Sequence, residues 1–200
     1  MPAISLYDGR GSRKYLTSSE RRAFANAALR TAPPILTFCL TLLYTGARVS
    51  EILALTSARI DRADNAIIFE TLKRRKRGVF RAIPVPLELV ARLTQFYECS
   101  ARPDGNEEPQ RIWNWGRTTA WKHVKAVMLL AGIQESLATP KAARHAFGVN
   151  AIQTGVALNV LQRWMGHARI ETTAIYADVL GKEERALAEL TWMAFRGLPL

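Results

Sequence analysis

The run ILTFCLTLLY, residues 35–44, constrains this chain most. Wound as a helix it is apolar on nearly every side, and such a helix belongs at the centre of a protein rather than at its surface. Pro33 and Pro34 suit its first turn, where proline is tolerated. Thr45 and Gly46 mark its end. The other elements have to be laid around this centre. Thr17 to Glu20 reads as a capping box that opens a helix through about Leu29. Arg48 to Leu55 reads as a further short helix.

The hydrophobic period then changes. Residues 66–70 (AIIFE) and 79–83 (VFRAI) are β-leaning runs on either side of a basic turn, residues 73–77 (KRRKR), followed by Gly78. That pattern predicts a β-hairpin, joined by a strand near Arg59 to Asp61 and closed by Pro84 and Pro86. Helix returns over Leu87 to Cys99 and, after a polar loop at Arg102 to Gln110, over Thr118 to Ala131. In the second of these, Trp121, Val124, Met128 and Ala131 are expected on the buried face. Trp113, Trp115, Trp121 and Trp164 are read as packing residues. Glu183 to Phe195 predicts a final amphipathic helix. The fold class is therefore mostly α with a small antiparallel β-sheet. Residues 1–16 read as a loose basic arm, 17–182 as one domain, and 183–200 as a C-terminal helix and tail.

Charge narrows the partner. The 200 residues hold 28 Lys and Arg against 17 Asp and Glu, a net +11, which favours a polyanion, with DNA or RNA first. An anionic membrane surface is the weaker alternative, for want of a basic amphipathic helix beside an anchor. Cys39 and Cys99 have no metal-ligand spacing, and Cys39 falls in the apolar run, where a buried, inert thiol is expected. No stretch approaches the roughly 18 uninterrupted apolar residues of a membrane span. Asp8, Arg10, Arg13 and Lys14 break any apolar leader, so an intracellular protein is expected.

The chemistry-bearing residues fall in separate segments. Arg48 and Glu51 are three apart and on a helix would share a face. Between residues 140 and 176 stand Lys141, Arg144 and His145, then Gly166 and His167, then Tyr176. Gly155 and Gly166 sit where helix ends want positive φ, so these polar groups gather at helix ends and turns. Each has a plain alternative: a surface ion pair, a solvated basic turn, structural histidines, a half-buried tyrosine. No zinc-like, P-loop or paired-carboxylate pattern occurs. A tyrosine hydroxyl beside arginines and a histidine is equipment for attack on a phosphate.

Taken in order, Arg-xx-Glu, a hairpin lysine, a basic residue-xx-Arg, Gly-His and a tyrosine nine residues on resemble the catalytic domain of the tyrosine recombinases, the phage-integrase family. The segments TGARVSEILALT, RHAFGV and WMGHARIETTAIYA carry the resemblance, which runs from about Tyr15 to Leu190. It implies that Arg48 and Arg144 clamp the scissile phosphate and that His167 hydrogen-bonds the phosphate or the nucleophile. Tyr176 would be that nucleophile, forming a 3′-phosphotyrosine ester, and Glu51 would orient the arginine cluster. Lys73, with Lys76 as runner-up, would protonate the departing 5′ oxygen. Arg74, Arg75, Lys76, Arg77, Arg117 and Lys122 would bind DNA, His145 would stand behind the reacting groups, and neither metal nor cofactor is needed. The implied partner is double-stranded DNA, bound by a tetramer on paired sites whose free form could be monomeric. Accessory proteins and a nucleoid-associated, cytoplasmic setting go with it, and the last helix would pack on a neighbouring protomer.

Two positions depart from the pattern. Lys141 stands where the family usually has histidine, and a protonated lysine is a poor base unless burial or nearby cations lower its pKa. His145 is no obvious substitute, being about 100° round the helix from Arg144. Only about 16 residues precede the catalytic region, without the usual core-binding domain, which reads as an excised domain or, given Met1, a minimal enzyme. The leading reading is a site-specific DNA recombinase. The others are a non-catalytic DNA-binding regulator on the same fold and a type IB topoisomerase-like relaxing activity.

Overall fold

The structure, a computed structural model, describes residues 5–71, 78–100, 110–177, 189 and 191–193. At its centre α2 (Pro33–Thr45) buries Leu36, Phe38, Cys39, Leu40 and Leu42, as a helix apolar on all sides must. Its polar residues add no unmet demand. The hydroxyls of Thr37, Thr41 and Thr45 donate back to the carbonyls of Pro33, Thr37 and Thr41 at 2.8, 2.8 and 2.6 Å. Burial pushes the Cys39 thiol up to about 12, so it is inert in this setting.

Helices α1 (Ser18–Ala28), α4 (Leu87–Ser100) and α6 (Pro140–Gln153) pack directly on α2. The predicted capping box is present at α1, where Thr17 Oγ1 accepts from Glu20 N–H and Glu20 accepts from Thr17 N–H. The segment before it is not the loose arm expected. Leu6 and Leu16 are buried, Tyr7 bridges Arg13, and Arg13 makes a two-bond fork to Glu20 at 2.7 and 2.6 Å. A bidentate guanidinium–carboxylate pair fixes orientation as well as distance, so it anchors this stretch to α1.

Three antiparallel strands, β1 (Ile60–Asp61), β2 (Ala66–Glu70) and β3 (Phe80–Pro84), run in the order β1-β2-β3. The register pairs Ile67 with Ile83 and Phe69 with Arg81, and all four side chains are buried on one face. The basic turn, Lys73, Arg74, Arg75, Lys76 and Arg77, lies outside the described residues, as does most of the predicted helix 183–195.

On the far side α3 (Val49–Leu53) is shorter than expected, with Arg48 at its N-cap rather than inside it. α5 (Arg117–Leu130) buries Ala120, Val124, Val127 and Met128. Trp121 is therefore off the buried stripe and is 40% exposed, against expectation. One residue is about 100° on a helix, enough to turn an indole from core to solvent. Trp113 is core, its Nε1 donating to Pro34 O at 3.0 Å, and Trp115 and Trp164 are half-buried against the same core. α7 (Leu158–Met165) and the four-residue α8 (Glu171–Ala174) follow α6.

Gly46 ends α2 at φ 58°, and a Cβ there would lie 2.5 Å from the Phe147 ring on α6. Both backbone conformation and space exclude a side chain. Gly46→Ala is expected to lower folding stability by about 1–3 kcal/mol, read as a lower urea midpoint; an unchanged midpoint would contradict this packing.

Candidate active site

Glu51 is a charged residue whose side chain is fully buried. Its position at the third residue of α3 lets it reach back to the Arg48 backbone N–H at 2.8 Å, the carboxylate half of a capping box. The same carboxylate accepts from Arg48 Nη1 at 2.8 Å and from Arg81 Nη2 at 2.7 Å. Burial alone would raise its pKa, but Arg81, then the Arg48 N–H and guanidinium, outweigh it and hold the carboxyl below its usual range. Arg81, which the sequence reading did not single out, is itself buried. It also donates to Thr71 Oγ1 at 3.0 Å and through Nε to Trp164 O at 2.8 Å, joining β3 to α3 and α7.

Arg144 projects from α6 towards the same place. Its Nη1 donates to Gly46 O at 2.6 Å, and its Nη2 donates to Met165 O at 2.7 Å and to His167 Nε2 at 3.0 Å. Guanidinium has no acceptor, so Nε2 must be the accepting nitrogen. His167 Nδ1 therefore carries the proton and donates to Thr173 Oγ1, 3.0 Å away. Gly166, at φ 63°, is the left-handed cap of α7 that turns His167 inward. Burial, then the neighbouring Arg144 and Arg48, pull the His167 pKa down to about 3, so the ring is neutral. Burial and the nearby Arg48 also lower Arg144, to about 10, which leaves it charged at neutral pH. Every acceptor it has among the described residues is neutral. A buried cation without a carboxylate of its own is poised for an anion.

Tyr176 follows α8 and is 2% exposed. Its ring lies parallel to that of His167, centroids 6.3 Å apart and planes 7° apart, and over Gly148 of α6, where a Cβ would come within 2.5 Å of it. Its hydroxyl is 3.1 Å from His145 Nδ1. Burial drives its pKa up to about 12, although Arg144 and Arg48 pull the other way. The lowering by these cations is thus present but smaller than the effect of desolvation.

Arg48, Arg144, His145, His167 and Tyr176 line one cleft of about 570 Å³. Lys141, in the first turn of α6 behind its Thr139 cap, is exposed and lines it too. Across it stand Arg117 and Trp121, whereas Lys122 is exposed on α5 outside the cleft. Lys125 covers the Trp121 ring at 5.3 Å. Among the described residues no three His, Cys, Asp or Glu side chains gather as metal ligands, and no helix is long and apolar enough to cross a membrane.

Residues 14–183 match the model of the phage integrase family. The chain belongs to that family. Among curated members, this phage integrase homologue is 31% identical over 152 residues to the tyrosine recombinase XerD of Brucella abortus biovar 1 (strain 9-941), covering 72% of this chain and 47% of that protein. With XerA of Pyrococcus furiosus (strain ATCC 43587 / DSM 3638 / JCM 8422 / Vc1) it shares 29% over 157 residues, 74% of this chain and 51% of the other. It thus spans about half the length of these relatives. Its fold is that of the tyrosine recombinase catalytic domain. It superposes on a crystal structure of XerA recombinase with TM-score 0.73 and 23% identity, covering 92% of this chain and 66% of that one. On the pre-cleavage complex of XerH recombinase with its difH substrate the TM-score is 0.72 at 17% identity, covering 93% and 59%.

Removing the charge of Glu51 leaves two guanidiniums without their counter-ion, one of them buried. Glu51→Gln is expected to cost about 3–5 kcal/mol, measured by urea unfolding at neutral pH; a loss under about 1 kcal/mol would mean the carboxylate is not their anchor. A pH effect follows from the two histidines. Their folded-state values, about 4 for His145 and about 3 for His167, lie below the ordinary 6.5. The unfolded chain therefore takes up their protons first. Stability is full above pH 6.5 and falls as pH drops from there towards those values, by on the order of a few kcal/mol. Thermal denaturation of wild type against a His145→Gln, His167→Gln double variant between pH 7 and 4.5 should show the dependence reduced in the variant.

Proposed function

We propose that this chain is a site-specific DNA recombinase of the tyrosine type, breaking and rejoining DNA through a covalent phosphotyrosine. One observation carries the reading: two arginines, a neutral histidine and a tyrosine line a single cleft, and among the described residues one of the arginines has only neutral partners. A guanidinium has five N–H groups, and three bonds account for Arg144's partners among the described residues. Its remaining donors and the outer edge of Arg48 suit phosphate oxygens. Family membership and the similarity to XerD support DNA as the substrate, and the net charge of +11 supplies salt-sensitive affinity for it.

In this reading Tyr176 attacks the scissile phosphorus. Arg48 and Arg144 neutralise the charge that grows on the non-bridging oxygens, and His167 holds Arg144 in place. The 5′ oxygen leaves with a proton from a lysine, Lys73 or Lys76 of the basic turn by family resemblance. Lys141 strengthens the phosphate field from the rim. Because the phosphotyrosine ester conserves the phosphodiester energy, rejoining requires no nucleotide. Arg117 and Lys122, with Arg74, Arg75 and Arg77, contact the DNA backbone. Assembly of four protomers on two paired sites is the corresponding active form, and accessory proteins set the outcome.

The test is a nicked duplex in which cleavage releases a short oligonucleotide and traps the adduct, with duplexes tiled from the DNA flanking the coding sequence. Wild-type protein should give a denaturation-resistant protein–DNA species. Tyr176→Phe should give none while binding DNA within about threefold of wild type. An adduct in the phenylalanine variant would move the nucleophile elsewhere.

A further inference from the structure

Lys141 leaves the chain without a histidine at the family's usual position, and the cleft offers another imidazole. We propose that His145 is the base that takes the Tyr176 phenolic proton during attack, a role that rests on the nucleophile assignment above. His145 is buried on α6, one residue past Arg144, and its Nδ1 is 3.1 Å from the Tyr176 hydroxyl. Among the described residues that nitrogen is the hydroxyl's hydrogen-bond partner; Lys141 is not. An ammonium has no lone pair to offer, whereas a neutral imidazole keeps one at whichever nitrogen lacks the proton. In this role the phenol donates to Nδ1, which is then the acceptor, with the ring proton on Nε2.

The cations facing His145 favour this neutral form. Lys141 and Arg144 come from its own helix, Lys14 from the N-terminal segment, neutral His167 from the end of α7, and Tyr176 from beyond α8. Burial first, then those cations, draw the His145 pKa down to about 4, so the lone pair is available throughout the physiological range. Free imidazole of that kind is a weak base. A phosphodiester seated on Arg48 and Arg144 changes the balance, because its negative charge beside His145 favours the protonated ring. Base strength thus appears when substrate is present.

The step balances. As Tyr176 Oη bonds to phosphorus, its proton passes to His145 Nδ1. The P–O5′ bond breaks, its electron pair leaves with the 5′ oxygen, and that oxygen takes a proton from a lysine ammonium or water. In rejoining, the 5′ hydroxyl attacks and returns its proton to the lysine amine or to water, the P–Oη bond breaks with its electron pair going to Oη, and Tyr176 recovers its proton from the imidazolium.

The experiment measures the rate of adduct formation on the nicked duplex against pH for full-length wild type, His145→Gln and Lys141→Ala. Glutamine can accept the hydrogen bond but cannot carry the proton. Wild type and Lys141→Ala should be flat from about pH 6.5 to 9. His145→Gln should be slower by about 10²–10⁴-fold near pH 7 and gain about tenfold per pH unit, because the phenolate must then form without help. A flat profile in His145→Gln, whatever its rate, overturns the proposal, since a structural defect has no such slope. A slope in Lys141→Ala overturns it in favour of that lysine. No adduct from wild type at any pH overturns the nucleophile assignment instead, and the role of His145 with it. A second measurement needs no DNA or variant folding: in ¹⁵N-histidine-labelled wild type, His145 Nδ1 should be unprotonated at pH 7. A proton on Nδ1 overturns the proposal outright.

Discussion

One carboxylate holds the architecture of the cleft together. Glu51 stands between two guanidiniums and a backbone N–H, and the groups it gathers come from α3 and from β3, with α7 tied in through Arg81 and Trp164 O. Its burial would be untenable alone and is sustained because its lone pairs are met by charged donors. The balance of charge also matters. Among the described residues one anion serves two cations, and Arg144 adds a third without an anion of its own, so this part of the interior carries an excess of positive charge. The fold holds that third cation in place by bonding Arg144 to two carbonyls and a neutral ring rather than by neutralising it. Oxygens of a bound phosphodiester would meet donors already fixed in direction, with little reorganisation left to make.

The tyrosine is held differently. Its ring fits the space left by Gly148, lies along His167 and ends on His145. None of these contacts is ionic. The arginines and the tyrosine therefore answer to different physics: the former to charge and hydrogen-bond geometry, the latter to shape and desolvation. Thr173 links the two sets, since its hydroxyl fixes the His167 tautomer from the same short helix that delivers Tyr176.

Much of this was legible in the sequence because it is written locally. The all-apolar run gave α2, which ends at Gly46 as expected, the capping box gave α1, and Gly155 and Gly166 take the positive φ expected of them. The Arg48–Glu51 pair follows from a spacing of three. What was missed depends on partners distant in the chain. Arg81 alternates in phase with inward-facing Ile83, and a cation in an apolar phase is the signal that could have marked it as buried and paired. Its partner, Glu51, is 30 positions away, so the pairing itself could not be read. Trp121 failed because two registers, one through 121 and one through 120 and 127, fit the same helical period; packing chose the second. The contact of His145 with Tyr176 spans 31 positions and arises only when α6 and the turn after α8 meet.

The seat of the Tyr176 ring has a thermodynamic side. Any excursion that swings the phenol towards a ligand uncovers an aromatic surface on the order of 150–250 Å², and vacates a groove whose floor is bare backbone at Gly148. Local order around α8 and readiness of the hydroxyl are then opposite ends of one equilibrium. Whatever lodges between the two arginines tilts it only through a difference in affinity for the seated and unseated forms.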